Sequence, residues 1–293
     1  MPHAALVGFA VKADSKFFEG LCATIASIIQ WHPTSPITII DCGLSGQQKE
    51  AISSAGVGAL LEPDLAAYNV VEGSEEYYTR AVYGAMHCLP DLYDLTIHID
   101  SDAILLNRID ELTSALVFEH GLAAVPDFPA LGLDFQVGHV EKARNTVKQL
   151  IPNYDPTSVS FNGGVYAVRK TYFIKSMLPM IGRLNAGGAA FWGNEMALMN
   201  LAAFAANPAR PFIALPQSYN HRPEYRRAPE LASVRLVEHG VKSPPKLFGH
   251  FGRIRVLHFV GRNKPWVENN LPANCQLAWD YYRQLARVQH GLL

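Results

Sequence analysis

The stretch from Leu95 to Leu106, Leu-Thr-Ile-His-Ile-Asp-Ser-Asp-Ala-Ile-Leu-Leu, constrains the fold more than any other part of the chain. An apolar, β-branched run of strand length stops at Asp100 and Asp102 and then resumes, so two carboxylates stand where a buried strand meets solvent. Residues two apart on a regular strand point to the same face. Burying even one unpaired carboxylate costs several kcal/mol, so the pair is either fully exposed or offset by a cation. As exposed turn acids they would cap a helix starting at Ile109; as ligands they suit a hard divalent ion such as Mn²⁺ or Mg²⁺. The spacing alone leaves both open.

The pattern around this stretch alternates strand and helix. Ala4 to Val11 is a continuous apolar run that opens into Lys12-Ala-Asp14-Ser15, as a buried first strand would. Leu21, Ile25, Ile28 and Ile29 share a helical face over Leu21 to Trp31, which Pro33 and Pro36 end. Ile37 to Ile40 reads as a second strand, Asp41 to Ser45 as a turn into a polar helix, and Val57 to Leu61 as a third strand. That order predicts an α/β protein with a mostly parallel sheet and right-handed crossovers, binding ligands beyond the carboxyl ends of its strands. A helix is expected from Ser74 to Cys88 and another from Ile109 to Phe118, followed by a strand from Leu122 to Val125 that again runs into an acid, Asp127.

Beyond Asp127 the signal weakens. Val140 to Leu150 reads as a helix and the rest of Phe128 to Ser160 as a loop or flap. Phe161-Asn-Gly-Gly164 introduces a short strand, Val165 to Val168; Tyr172 to Leu184 reads as a helix that Pro179 kinks or ends. Trp192 to Ala206 is a helix with Asn194 and Glu195 in its first turn, and Phe212 to Leu215 a strand. Pro216 to Lys246 is irregular and polar, Ile254 to Phe259 is the last strand, and Gln276 to Val288 is an amphipathic helix. No repeat, low-complexity tract or linker interrupts the pattern, so one domain is expected.

Composition narrows the function classes. With 293 residues, 49% hydrophobic and 17% charged, the chain has ample material for a large core. Its 25 Lys and Arg nearly balance 26 Asp and Glu with no dense basic block, which argues against a nucleic-acid binder. Cys22, Cys42, Cys88 and Cys275 are scattered singly, suggesting reduced core residues and not a zinc or disulfide framework. The N-terminus lacks the layout of a signal peptide, and no segment approaches the ~20 apolar residues of a membrane span. A cytoplasmic protein is therefore expected, with peripheral membrane contact left open.

Near the end of the chain His258 also closes an apolar strand, followed by Gly261 and Lys264. The glycine permits close backbone approach and the lysine supplies a charge that a diphosphate would use; the other readings of the residues alone are a structural histidine, the more frequent fate of a lone His, and a solvated lysine.

Taken in order, the strand-end Asp-x-Asp, the Phe-Asn-Gly-Gly and the final His-Phe-x-Gly-x-x-Lys-Pro-Trp resemble family 8 glycosyltransferases. These are the retaining GT-A enzymes that include bacterial lipopolysaccharide galactosyl- and glucosyltransferases and glycogenin. The resemblance runs from about Val7 to Trp266. It implies a single, Rossmann-like GT-A domain over 1–293: a nucleotide-sugar-binding half (1–130), an acceptor-side half with the metal histidine (131–270) and a C-terminal helix (271–293). It implies that Asp100, Asp102 and His258 hold Mn²⁺, with Mg²⁺ as substitute, and that Gly261 and Lys264 cradle the diphosphate of a UDP-sugar. Ser101 and Gly163 count with the donor-binding residues. Asp14 would face the uracil ring, although a helix cap reads as well. Arg80 would approach sugar and phosphates, or else be a helix-surface arginine. Asp127 and Asn162 would hydrogen-bond the donor hexose, Asn162 reading also as a turn residue.

One departure stands out. Where the family usually has Asp-Gln-Asp, this chain has Asn194-Glu195-Met196. Asn194 can still meet sugar hydroxyls, while Glu195 puts a carboxylate near the anomeric carbon, either as a nucleophile or oxocarbenium stabiliser or as a helix N-terminal acid. The implied activity is Mn²⁺-dependent transfer of galactose or glucose from UDP to a hydroxyl of a saccharide or glycolipid acceptor. A nucleotide-sugar-binding protein with impaired catalysis, or a structural α/β protein without a donor site, are the alternatives.

Overall fold

The computed structural model describes residues 5–63, 89, 92–127, 131–187, 191, 194–223, 234–240, 243–261, 264–267 and 271–293. It is an α/β protein whose main sheet has seven strands in the order β3-β2-β1-β4-β7-β6-β8. The strands are β1 (Val7–Ala13), β2 (Ile37–Asp41), β3 (Ala59–Leu61), β4 (Leu95–Ile99), β6 (Leu122–Pro126), β7 (Phe161–Arg169) and β8 (Ile213–Ala214), with β5 (Ala103–Leu105) set apart from them. β1, β2 and β3 pair in parallel, β6 and β8 in parallel, and β6 with β7 antiparallel. The expected mostly parallel sheet is present.

The chain forms two compact units, one of residues 1–8, 62–97 and 112–215, the other of 9–61, 98–111 and 216–293. In the second unit, helix α1 (Phe18–Trp31) is buried from Gly20 through Ile28, wider than the single apolar face expected, because Ala23, Thr24, Ala26 and Ser27 are also enclosed. Helix α2 (Gly46–Ala55) starts at Ser45 with a reciprocal capping box to Gln48, which fixes the turn read from Asp41 to Ser45. The long helix Ala273–His290 buries Cys275, Ala278, Trp279, Tyr282, Leu285 and Ala286, and the Tyr282 hydroxyl accepts from Trp31 Nε1 at 2.8 Å.

Three expectations need correction. The segment Pro216 to Lys246 is not irregular throughout: it holds a 3-10 turn (Gln217–Asn220), β9 (Val234–Gly240) and the start of β10 (Ser243–Gly249), which pairs antiparallel with β9 and with β11 (Gly252–Arg253). The register of β10 against β9 slips between Ser243 and Lys246, where Pro244 and Pro245 cannot donate to a ladder, and that hid the strand. The Phe-Asn-Gly-Gly run lies inside the nine-residue β7 and does not precede it. A Cβ on Gly163 would lie 2.0 Å from Met196 Sδ, so the bare backbone serves helix packing. From Tyr172 the chain first widens into a π turn, Phe173–Met177, then continues as Leu178–Ala186 with Pro179 in its first turn, where a missing N–H costs little.

Smaller shifts follow from local chemistry. Ile109 to Phe118 divides into a 3-10 turn (Asp110–Thr113) and a helix (Ala115–His120) around an extended Ser114. The middle segment carries a short helix Leu133–Val137 besides the expected Glu141–Leu150. The last strand, β12 (Val256–His258), pairs with β5 and not with the main sheet. The helix expected from Ser74 to Cys88 lies outside the described residues. No described helix is long and apolar enough to cross a membrane.

Candidate functional site

In the second unit the Asp-x-Asp sits on the tight turn between β4 and β5, closed by Ala103 N donating to Asp100 O at 3.0 Å. α1 clamps this turn. Thr24 Oγ1 donates to Ala103 O at 2.7 Å, and Leu105 N donates to Ser27 Oγ at 2.9 Å. A Cβ on Gly20 would lie 2.2 Å from the Ser101 carbonyl oxygen, so glycine is what lets the helix approach the acidic turn.

On its other edge β5 pairs antiparallel with β12, with Ala103 opposite His258, and Phe259 N donates to Asp102 O at 2.9 Å. That register delivers the imidazole: His258 Nε2 lies 3.1 Å from Asp102 Oδ1 and 3.7 Å from Asp100 Oδ2. His258 Nδ1 lies 2.8 Å from Asn220 Oδ1, which can only accept. A ring proton at Nδ1 thereby has its acceptor, and Nε2 is the nitrogen turned toward the carboxylates. Ligand atoms from Asp100, Asp102 and His258 all lie within 4.8 Å of one another.

The charges around the cluster are balanced by the chain itself. Burial opposes ionisation of Asp100, but the hydrogen bond from His98 and the positive charge of Lys12 outweigh it and hold the carboxyl below its usual range. His98 Nε2 is 3.0 Å and Lys12 Nζ 4.0 Å from Asp100 Oδ1. For Asp102, burial is again the largest influence, and it is overcome by Lys264 and His258, so that this carboxyl stays ionised. Lys264 is buried, pairs with Asp102, donates to Phe259 O at 2.6 Å and stands 5.3 Å from the centre of the Phe17 ring. Two carboxylates and a neutral imidazole are the donor set that Mn²⁺ or Mg²⁺ accepts, so these residues fit a divalent cation.

The remaining sequence-derived residues fall as follows. Gly261 adopts φ +92°, the left-handed region open to glycine, and Ser101 is buried within the acidic turn. Asp14 caps the turn ahead of α1, its Oδ1 accepting from Lys16 N at 2.9 Å and Phe17 N at 3.2 Å. Arg80 lies outside the described residues. In the first unit Asp127 is buried, its Oδ2 accepting from Gln136 Nε2 at 3.1 Å and Ser160 Oγ at 3.3 Å. Asn162 Oδ1 accepts from Gly164 N at 2.9 Å. Asn200 pins β7 to the helix Asn194–Ala206, accepting from Phe161 N at 2.7 Å and donating to Phe161 O at 3.0 Å. Asn194 opens that helix and Glu195, in its first turn, is buried.

Four residues at the cluster escaped the sequence reading as site residues. Lys12 and Asn220 sit in stretches without a motif. His98 is one strand alternation before Asp100, a same-face spacing that could have flagged it. Gly20 is legible only once the turn it meets is known.

No family model and no curated protein matches this sequence. Solved structures do match. The bifunctional glycosyltransferase WbbM, in its apo structure, is 17% identical with a TM-score of 0.65 over 98% of this chain and 50% of that one. An active-site glutamine-to-glutamate mutant of LgtC is 15% identical, TM-score 0.64, over 95% of both chains. The galactosyltransferase LgtC in complex with donor and acceptor sugar analogues is also 15% identical, TM-score 0.58, over 95% of both. The chain thus spans half the length of WbbM and nearly all of LgtC. The shared architecture is the GT-A fold.

Proposed function

We propose that this chain is a family 8 glycosyltransferase that moves a hexose from a UDP-sugar to an acceptor hydroxyl with retention at the anomeric carbon. The observation that carries the reading is the β5–β12 ladder, which sets His258 beside the Asp-x-Asp carboxylates at 3.1 and 3.7 Å. The ordered motifs point the same way, and so does the fold held in common with a galactosyltransferase crystallised with donor and acceptor analogues. On this reading 1–293 is one catalytic domain working in the cytoplasm.

Asp100, Asp102 and His258 would hold Mn²⁺, which when bound supplies Lewis-acid charge for a leaving diphosphate. Asn220 fixes the His258 tautomer so that Nε2 presents its lone pair. Lys264 contributes an ammonium beside Asp102, the positive charge that a diphosphate would meet, while Gly261 leaves the nearby backbone uncovered. Asp127, oriented by Gln136 and Ser160, and Asn162 would accept from and donate to hexose hydroxyls, with Asn194 beside them in this role and Arg80 and Asp14 completing the donor contacts. Glu195 stands where the family motif has its glutamine, and it is the carboxylate available to a double displacement. Front-face attack guided by the departing phosphate is the other route to retention.

The test is thermal stability against a panel of nucleotide sugars, each with Mn²⁺ and with EDTA, on the wild type and on Asp102→Ala. A ligand at a hundredfold excess over Kd stabilises the native state by about 2.7 kcal/mol. The expected outcome is a Mn²⁺-dependent shift confined to UDP and one UDP-hexose, absent from the variant, followed by UDP release when an acceptor is supplied. No shift with any nucleotide, metal present, overturns the reading.

A further inference from the structure

The two oxygens of Asp100 have different neighbours. Oδ1 lies 3.0 Å from His98 Nε2 and 4.0 Å from Lys12 Nζ, whereas Oδ2 lies 3.7 Å from His258 Nε2. His98 precedes Asp100 by two residues, the spacing that puts side chains on one face of a strand, and it belongs to β4, whose five residues are all buried. The imidazole itself is 2% exposed. An ionised carboxylate only accepts, so a ring proton at Nε2 has its acceptor in Oδ1. Among the influences that keep Asp100 ionised, this hydrogen bond is the largest.

Which oxygen is held matters, because hard cations take carboxylates differently. Ca²⁺ collects about 6–8 oxygens at about 2.3–2.6 Å, often both oxygens of one acid, whereas Mg²⁺ demands near-octahedral geometry at about 2.0–2.1 Å. Neighbouring ligands of a six-coordinate ion with bonds of about 2.1 Å stand about 3 Å apart. Asp102 Oδ1 and His258 Nε2 stand 3.1 Å apart. For Asp100 to offer both oxygens, Oδ1 would have to turn away from His98 and break the hydrogen bond of a buried imidazole. Asp102 is held less firmly. Its partner Lys264 carries its ammonium on a four-carbon stem that can swing to a diphosphate, while His98 is a short side chain on a buried strand.

We infer that His98 is a positioning residue for the cation: by holding Oδ1 it leaves Asp100 a single-oxygen ligand through Oδ2, and so tunes the site to six-coordinate Mn²⁺ or Mg²⁺ against Ca²⁺. The inference rests on the proposed cation site of Asp100, Asp102 and His258 and is independent of the sugar transferred.

The test is calorimetric titration of Mn²⁺ and of Ca²⁺ into the metal-free whole chain, without nucleotide, with melting temperatures taken in EDTA. The wild type should bind Mn²⁺ at least about tenfold more tightly than Ca²⁺. His98→Leu should weaken Mn²⁺ about tenfold, as loss of an outer-shell partner does, and leave Ca²⁺ unchanged or tighter, so that the preference disappears. His98→Gln, whose amide reaches about as far as Nε2, should keep the preference, and His98→Asn, one carbon shorter, should lose it. This second pair carries the test if the leucine variant does not fold. A His98→Asn variant with wild-type Mn²⁺ affinity, a parallel loss of both ions, or equal losses in His98→Gln and His98→Asn overturns the inference, since a merely structural histidine would not discriminate between ions. A wild type that binds no Mn²⁺ sinks the cation site and His98 with it. A failed nucleotide panel with the pattern of His98 variants intact sinks only the transferase reading, and the converse sinks only the positioning role.

Discussion

His258 has no second chance at the wrong tautomer. Its Nδ1 faces an oxygen of Asn220 in a buried pair, and without that acceptor the proton is free to settle on Nε2, where it would block the lone pair that a cation needs. Asn220→Ala should therefore lower Mn²⁺ affinity about 10- to 100-fold, as loss of an outer-shell partner does, with little change in the circular dichroism of the fold. Calorimetric titration of Mn²⁺ into the metal-free variant checks this, and unchanged affinity would show that Asn220 does not position the ring. Asp100, Asp102 and His258 were legible in the sequence because each interrupts or ends an apolar strand, which is costly without a partner. Asn220 was not, because a polar residue in a polar stretch violates no local rule.

At the scale of elements, the acidic turn depends on α1. Thr24 and Ser27 lie on a helix enclosed all round, and their hydroxyls serve the carbonyl of Ala103 and the amide of Leu105. Ser27→Ala would leave the Leu105 N–H buried and unpaired, at a cost of about 1–3 kcal/mol. Urea unfolding of the variant should show its midpoint lowered with the denaturant slope retained; a midpoint equal to that of the wild type would mean that β5 finds another acceptor. The strand and helix pattern up to Leu61 was readable because it obeys simple periodicity and punctuation. The β9–β10 hairpin was hidden because its register slips where Pro244 and Pro245 cannot donate to a ladder. β7 was read short because Gly163 and Gly164 mimic a turn, whereas Gly163 is small to admit Met196.

For the molecule as a whole, pH should act through His221, which is fully buried, donates its N–H to Val256 O and accepts at its carbonyl from His258 N. Burial, and then the nearby Arg222 charge, lower its pKa from 6.5 to about 4. Between those values the unfolded chain binds a proton that the native chain does not, so stability falls as pH falls through the window and levels off below about 4. The full contribution is about 3 kcal/mol, judged from the shift at about 1.36 kcal/mol per pKa unit. Unfolding curves at both ends of the window should show His221→Gln losing less stability than the wild type; parallel losses would rule His221 out as their source. The pairing of β5 with β12 also sets an order of events during synthesis. The carboxylates and the apolar β5 emerge from the ribosome long before Val256, Leu257 and His258 do. Until then β5 lacks its β12 partner and rests on α1, and such edges invite association with other chains. The closing ladder joins residues about half the sequence apart, a non-local contact of the kind that slows folding. A nascent chain therefore has its acids in place long before its imidazole and its buried lysine, so the cluster is assembled only after His258 and Lys264 have emerged.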